Sequence, residues 1–385
     1  MTETELLTNK IKVYLQGLSP RAVESLVRKL EKSKEAGIVD QHLELILEAS
    51  VKLLRTPDVV LDEPAREIIR RNQVQRMFFT PLEEFLINES LPNHQEGRVY
   101  RPNLPKVWNW LSRDILPGDV RMVLDESENP NVSDDRLDTL VDALRKRSVD
   151  AVGSALEQIE TSDKERRRLS IEIGGERGIS ELKDIHKILS AERWLMPFLN
   201  MMPETLTESR FKADPDVLNL IGKCSSRYPD HIPVVAAAML ERAETPSALC
   251  TFAGRLANTD DPKAISESQY APFVDMVMSE AERLNVLAQE HRQNNPDPVA
   301  FSQALTEYHS LVRGVELDMD LSHAGRWNKR LSDTKRSISD SVTRELNNAH
   351  GAVRRALQVP KWTKDGDLDQ DHASINDAVR CLRVV

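Results

Sequence analysis

Apolar residues recur at three- and four-residue spacing through most of this 385-residue chain, the period of a helix face packed on a core. Val23, Leu26, Val27 and Leu30 form one such stripe, and Leu43, Ile46, Leu47, Val51 and Leu54 another. Further stripes run through Val107 to Ile115, Ser133 to Arg147, and Leu182, Ile185, Ile188 and Leu189. A small oxygen-bearing residue followed by proline precedes many of these runs: Ser19-Pro20, Thr80-Pro81, Asp214-Pro215, Thr245-Pro246, Asp261-Pro262 and Asp297-Pro298. A side-chain oxygen at an N-cap accepts a free backbone N–H, and proline next to it fixes φ without losing an intrahelical bond. Thr80-Pro81-Leu82-Glu83 also has the form of a capping box. The pattern predicts an all-α protein, a multi-helix array or bundles of antiparallel helices.

Breaks in the pattern divide the chain into expected regions. Residues 1–90 form an N-terminal helical region. Residues 91–105, with three prolines, one glycine and few apolar positions, form a linker. Residues 106–270 form a central helical region, interrupted at Gly174, Gly175 and Gly178 and restarting at Ser180. The steps from Ser180 to Asp214 and on to Thr245, 34 and 31 residues, match the period of helix-hairpin repeats, although no consensus repeats inside them. Residues 271–358 form a C-terminal long-helix hairpin or three-helix bundle, and residues 359–385 an acidic linker and terminal short helix.

The C-terminal bundle has the clearest pattern. Phe273, Val277, Ala281, Leu284 and Leu287 mark its first helix, and Leu305, Tyr308, Val312, Val315 and Met319, spaced 3, 4, 3, 4, mark the second with a heptad seam of coiled-coil type. Past Gly325, Trp327, Leu331, Ile338, Val342, Leu346, Ala349, Val353 and Leu357 keep to an arc of about 120°. Arg326, Lys329, Arg330, Arg336, Arg344, Arg354 and Arg355 fill a different arc of about 120°, interrupted by Asp333 and Asp340. Gly351, on the polar side, is the expected early stop of this helix, since glycine costs about 1 kcal/mol against alanine there.

Charge sharpens that asymmetry. The chain carries a net −10, while residues 324–364 alone carry +7, leaving −17 for the rest. Whole-surface nucleic-acid binding is disfavoured by this balance, but a local basic face on nucleic acid or an anionic membrane surface is not. Aromatics make up 5% and Gly only 14 residues, which disfavours sandwiches and barrels. Cys224, Cys250 and Cys381 are odd in number and far apart, so neither a disulfide framework nor a CxxC site is expected and a reducing, cytoplasmic setting is. No transmembrane stretch and no N-terminal apolar leader stand out.

Candidate chemistry is sparse. Glu316, Asp320 and His323 share a helical face at i, i+4 and i+7, a ligand-like spacing without a second acid-x-x-His to complete a dinuclear site. Asp365, Asp367, Asp369 and Asp371 alternate like a calcium loop, but Gln370 replaces its glycine and Asn376 its bidentate Glu. Gly174-Gly175-Glu176-Arg177-Gly178 lacks the ending of a P-loop, and Arg166-Arg167-Arg168 stands beside Lys164-Glu165 like an ordinary charged face. Cys224 and Cys250 read as packed residues, and Trp108 and Trp110 as core or docking residues. No catalytic, metal or cofactor residue is assigned, and no cofactor is expected. The expected role is a non-enzymatic scaffold or adaptor that binds a protein partner or self-associates through its C-terminal long helices. The alternative is an anion-responsive regulator placing residues 326–357 on nucleic acid or a membrane surface, and the third is an enzyme whose site the sequence does not display.

Overall fold

The computed structural model of the chain describes residues 20–35, 43, 46–47, 50, 72–129, 132–207, 215–293, 298–323, 325–356, 361–362 and 368–369. They form an all-α protein. Two compact units divide the chain: Met1–Asn88 with Glu96–Met201, and Glu89–Gln95 with Met202–Val385. This division falls within the span 106–270. Residues 91–105 carry several buried side chains, Leu91, Arg98, Val99, Arg101, Asn103 and Leu104 among them.

In the first unit, α1 (Pro20–Glu35) is followed by helical residues 72–79, a 3₁₀ turn (Thr80–Phe85), and a two-residue parallel pair, β1 (Leu86–Ile87) with β2 (Val99–Tyr100), in the register Leu86↔Val99. A second 3₁₀ turn, Arg101–Asn103, leads into α2 (Leu104–Trp110), which continues as a π-helical turn, Leu111–Ile115. Then come α3 (Pro117–Glu128), α4 (Asp134–Thr161), α5 (Asp163–Ile173) and α6 (Glu176–Met201). Local chemistry accounts for several of these boundaries. Ser133 Oγ accepts from Arg136 N at 3.3 Å to cap α4, and Ser162 Oγ from Glu165 N at 3.4 Å to cap α5. Gly174 and Gly175, at φ +96° and +92°, end α5 in the left-handed region that side chains disfavour. The core gathers Phe78, Phe79 and Trp108, with Phe78 and Phe79 edge to face at 5.0 Å, and α4, α5 and α6 pack on one another.

Three expected helix starts differ. Thr80 caps nothing: its hydroxyl donates back to Arg76 O at 3.1 Å, because the preceding helix tightens directly into the 3₁₀ turn. Ser180 lies inside α6, which restarts at Glu176 straight after the glycine pair, so it does not mark the start of a repeat. Thr245-Pro246 is a turn, and the helix after it begins at Ala248. Asp261 caps as expected, accepting from Lys263 N at 3.0 Å. Pro20, Pro215 and Pro298 each open a helix, and the residues before them lie outside the described ones.

The second unit comprises α7 (Pro215–Arg227), α8 (Ile232–Arg242), α9 (Ala248–Ala257), the short α10 (Pro262–Ser266), and three long helices: α11 (Ala271–Gln293), α12 (Pro298–Asp318) and α13 (Gly325–Ala356). Two-residue strands β3 (Lys361–Trp362) and β4 (Leu368–Asp369) pair antiparallel. Helix α11 is central, packing on α8, α9, α12 and α13. It therefore buries nearly its whole circumference, from Phe273 and Val274 through Met276, Val277, Met278 and Ala281 to Leu284 and Ala288. Phe252 of α9 meets Phe273 edge to face at 5.6 Å. Ala288, Phe301 and Ala304 close the far end of the α11–α12 pair, with Ile338 of α13 against them. The heptad seam is used inside this bundle, Tyr308, Val312, Val315 and Met319 all being buried. Helix α13 runs through Gly351 to Ala356, past its expected early stop, because the alanines and arginines around Gly351 favour helix.

Helix α12 approaches Ser247 closely at Gly314, where a Cβ would overlap the Ser247 hydroxyl and come within 2.8 Å of its Cβ. Ser247 is 2% exposed and has nowhere to retreat. We expect Gly314→Ala to destabilise the second unit by about 1–3 kcal/mol in urea unfolding, and Ser247→Gly to recover part of that loss in the double variant.

Candidate functional site

The basic face of α13 divides into two parts. Arg326, Trp327 and Arg330 turn toward α11: Trp327 Nε1 donates to Asp275 Oδ1 at 2.8 Å, and Arg326 Nη2 pairs with Asp275 Oδ2 at 2.8 Å. Arg330 grips Glu282 with both prongs, Nε to Oε1 at 2.7 Å and Nη2 to Oε2 at 3.1 Å, and reaches Asp275 Oδ1 at 3.4 Å. The Glu282 side chain is only 6% exposed and that of Arg330 22%, so this is a largely desolvated, bidentate ion pair. Trp327 itself is fully buried. Further along, Gln289 Nε2 donates to Ser337 Oγ at 2.8 Å, and Tyr308 Oη to Thr334 Oγ1 at 3.0 Å. Burial pushes the Tyr308 phenol above its ordinary range. Lys335 pairs with Glu316 of α12.

Lys329, Arg336, Arg344 and Arg354 form the second part. All four are exposed and have no ion-pair partner among the described residues. Arg355 lies on the same helix, its side chain outside the described ones.

The register between α11 and α13 explains the division. Arg330 and Ser337 each face a residue 48 positions earlier, Glu282 and Gln289, so Ser341 stands level with Gln293, where α11 ends. Residues 342–356 continue past that point for roughly 22 Å at 1.5 Å per residue. Asp333 and Asp340 dilute the free face before Ser341, whereas Arg344 and Arg354 lie beyond it. Of the four basic residues with no ion-pair partner among the described residues, Lys329 and Arg336 thus lie alongside α11, and Arg344 and Arg354 on the part of α13 that continues past it.

The other candidates are placed as follows. Helix α12 ends at Asp318, so Glu316, Asp320 and His323 do not share a helical face; Asp320 Oδ1 instead accepts from Ser322 N at 3.0 Å. The His323 side chain and the alternating acids Asp365, Asp367 and Asp371 lie outside the described residues, and Asp369 is placed only as backbone in β4. Among the described residues no group of three metal-type side chains gathers. Burial pushes the Cys224 thiol up to about 11 and the Cys250 thiol higher still, with Asp318 adding to the latter; such thiols are poor nucleophiles. Arg166 pairs with Glu176 at 2.5 Å at the head of α6, and Trp108 and Trp110 are core residues. No described helix is long and apolar enough to cross a membrane.

The residues that sequence reasoning missed are Asp275 and Glu282. Their signal was present: two acids seven apart, on one face of the helix together with Ser279, Asn285 and Gln289. No protein-family model, curated protein or solved structure matches the chain.

Removing one member of a desolvated pair strands the other. Arg330→Met is therefore expected to destabilise the second unit by about 3 kcal/mol, and Arg330→Met with Glu282→Met to regain most of it, in urea unfolding. Arg336→Glu and Arg344→Glu, on the free face, are expected to stay within about 0.5 kcal/mol of the parent.

Proposed function

We propose that this protein is a non-enzymatic scaffold whose long C-terminal helix binds an acidic protein surface. The observation that carries this reading is the overhang of α13, amphipathic along its length and bearing Arg344 and Arg354 beyond the last residue of α11. Arg326 and Arg330 belong to the fold; Lys329, Arg336, Arg344 and Arg354 belong to recognition. Val342 and Val353, both half-buried on the apolar stripe, supply contact area, and the arginines steer the encounter and choose the partner. Arginine suits this task because its planar fork pairs carboxylates two at a time. A cytoplasmic setting goes with this reading, supported by the buried free thiols of Cys224 and Cys250.

The test is site-specific photo-crosslinking from positions 336 and 344 of the full chain in native lysate, read by mass spectrometry. The reading expects one acidic protein captured at both positions and lost at high salt. It also expects capture at each position to be lost when Lys329→Glu and Arg354→Glu are both introduced beside the crosslinking residue. Capture of nucleic acid or lipid alone, of a second copy of this chain, or of products indifferent to charge reversal would contradict it.

A further inference from the structure

We infer that Ser170, in the last turn of α5, is a phosphorylation site for a serine kinase that selects basic residues ahead of its target. This inference is independent of the α13 reading. The three consecutive arginines of the first unit lead directly into it, in the order Arg166-Arg167-Arg168-Leu169-Ser170-Ile171. Ser170 is the one serine or threonine of the sequence with arginine both two and three positions before it. A kinase of that class presents carboxylates to those two guanidinium groups and an apolar pocket to the residue after the serine, so the order of charge and apolarity around the hydroxyl decides the choice of target.

The fold turns these determinants outward. Arg167 is exposed and has no ion-pair partner among the described residues. Arg168, its side chain 71% exposed, meets Glu165 only at 4.0 Å, a contact that a kinase carboxylate readily replaces. Arg166, held by Glu176 at 2.5 Å, stands one position further back than the two contacts require. Ile171 is 84% exposed, more than any other large hydrophobic among the described residues. Ser170 is half-buried, and its hydroxyl makes no hydrogen bond with the described residues.

A kinase takes its substrate extended, so the last turn of α5 has to open. Helix α5 is suited to that: it has 11 residues, only Leu169 and Ile173 buried, and it ends at the left-handed pair Gly174 and Gly175. Other serines behind basic residues lack this combination. Ser148, after Arg145 and Lys146, is 2% exposed within the 28-residue α4, with its hydroxyl donated to Leu144 O at 2.9 Å. Ser332, after Lys329 and Arg330, is followed by Asp333, and its Arg330 is spent on Glu282. In the reaction the Ser170 oxygen bonds to the γ-phosphorus of ATP, and the bond from that phosphorus to the bridging oxygen breaks. ADP leaves, and the hydroxyl proton passes to the carboxylate base of the kinase.

The catalytic subunit of cyclic-AMP-dependent protein kinase, acting with MgATP on the full folded chain and read by peptide mapping in a mass spectrometer, tests this. The inference expects Ser170 to be the first residue modified and Ser170→Ala to remove that phosphate. Arg167→Gln and Ile171→Asp, both at exposed positions, are each expected to slow modification of Ser170 by about tenfold or more, with unchanged melting curves. Arg344→Gln, on α13, is expected to leave the rate unchanged. No phosphate on Ser170, faster modification at another residue, or an undiminished rate in either Arg167→Gln or Ile171→Asp would each overturn the assignment.

Discussion

Glu282 is the constraint on which the second unit depends. It sits on α11, the helix that α8, α9, α12 and α13 surround, with only 6% of its side chain reaching solvent. An ionised carboxylate in that position, left alone, would cost several kcal/mol, so the fold must deliver a cation to it. Arg330 does so with a two-pronged contact that tolerates little displacement. Asp275, one face-repeat earlier, is met by Arg326 and the indole N–H of the buried Trp327. Once these contacts are made, the azimuth and the axial register of α13 are both set.

The consequence is specificity of arrangement more than a gain in stability. The apolar faces of α11, α12 and α13 would accept more than one sliding register, because methyl groups on neighbouring turns are interchangeable partners. Desolvated ion pairs return roughly what their burial costs, yet misplacing them is expensive, which is how polar groups select one register among many. The Gln289–Ser337 and Tyr308–Thr334 hydrogen bonds extend the same selection along the helix. Because α13 is longer than its neighbours and its start is pinned, its end must overhang. The free arginines stand where they do as a result of that register, and the scaffold reading rests on this link between internal packing and exposed charge.

What the sequence disclosed and what it concealed follow from the range of the interactions involved. Helix periodicity is local, so α11, α12 and α13 were legible from stripes such as Phe273, Val277, Ala281 and Leu284. Asp261 was legible as a cap because its partner, Lys263 N, is two residues away. Thr80 misled because the same hydroxyl can bond forward into a new helix or back to Arg76 O, and here the preceding helix runs straight into the 3₁₀ turn. Pairings across elements stayed hidden. Nothing near Arg330 in the chain announces Glu282, and the seven basic positions looked alike until the register separated those spent on α11 from those left outside.

The central claim is that α13 is clamped to α11 as far as Ser341 and projects beyond it. Hydrogen exchange along α13 in the full chain, read peptide by peptide by mass spectrometry, tests this most directly. The account predicts slow exchange from Trp327 to Ser341, matching α11, a step to faster exchange from Val342 onward, and loss of the slow segment in Arg330→Met. Uniform slow exchange through Ala356, or a slow segment that survives Arg330→Met unchanged, would contradict it.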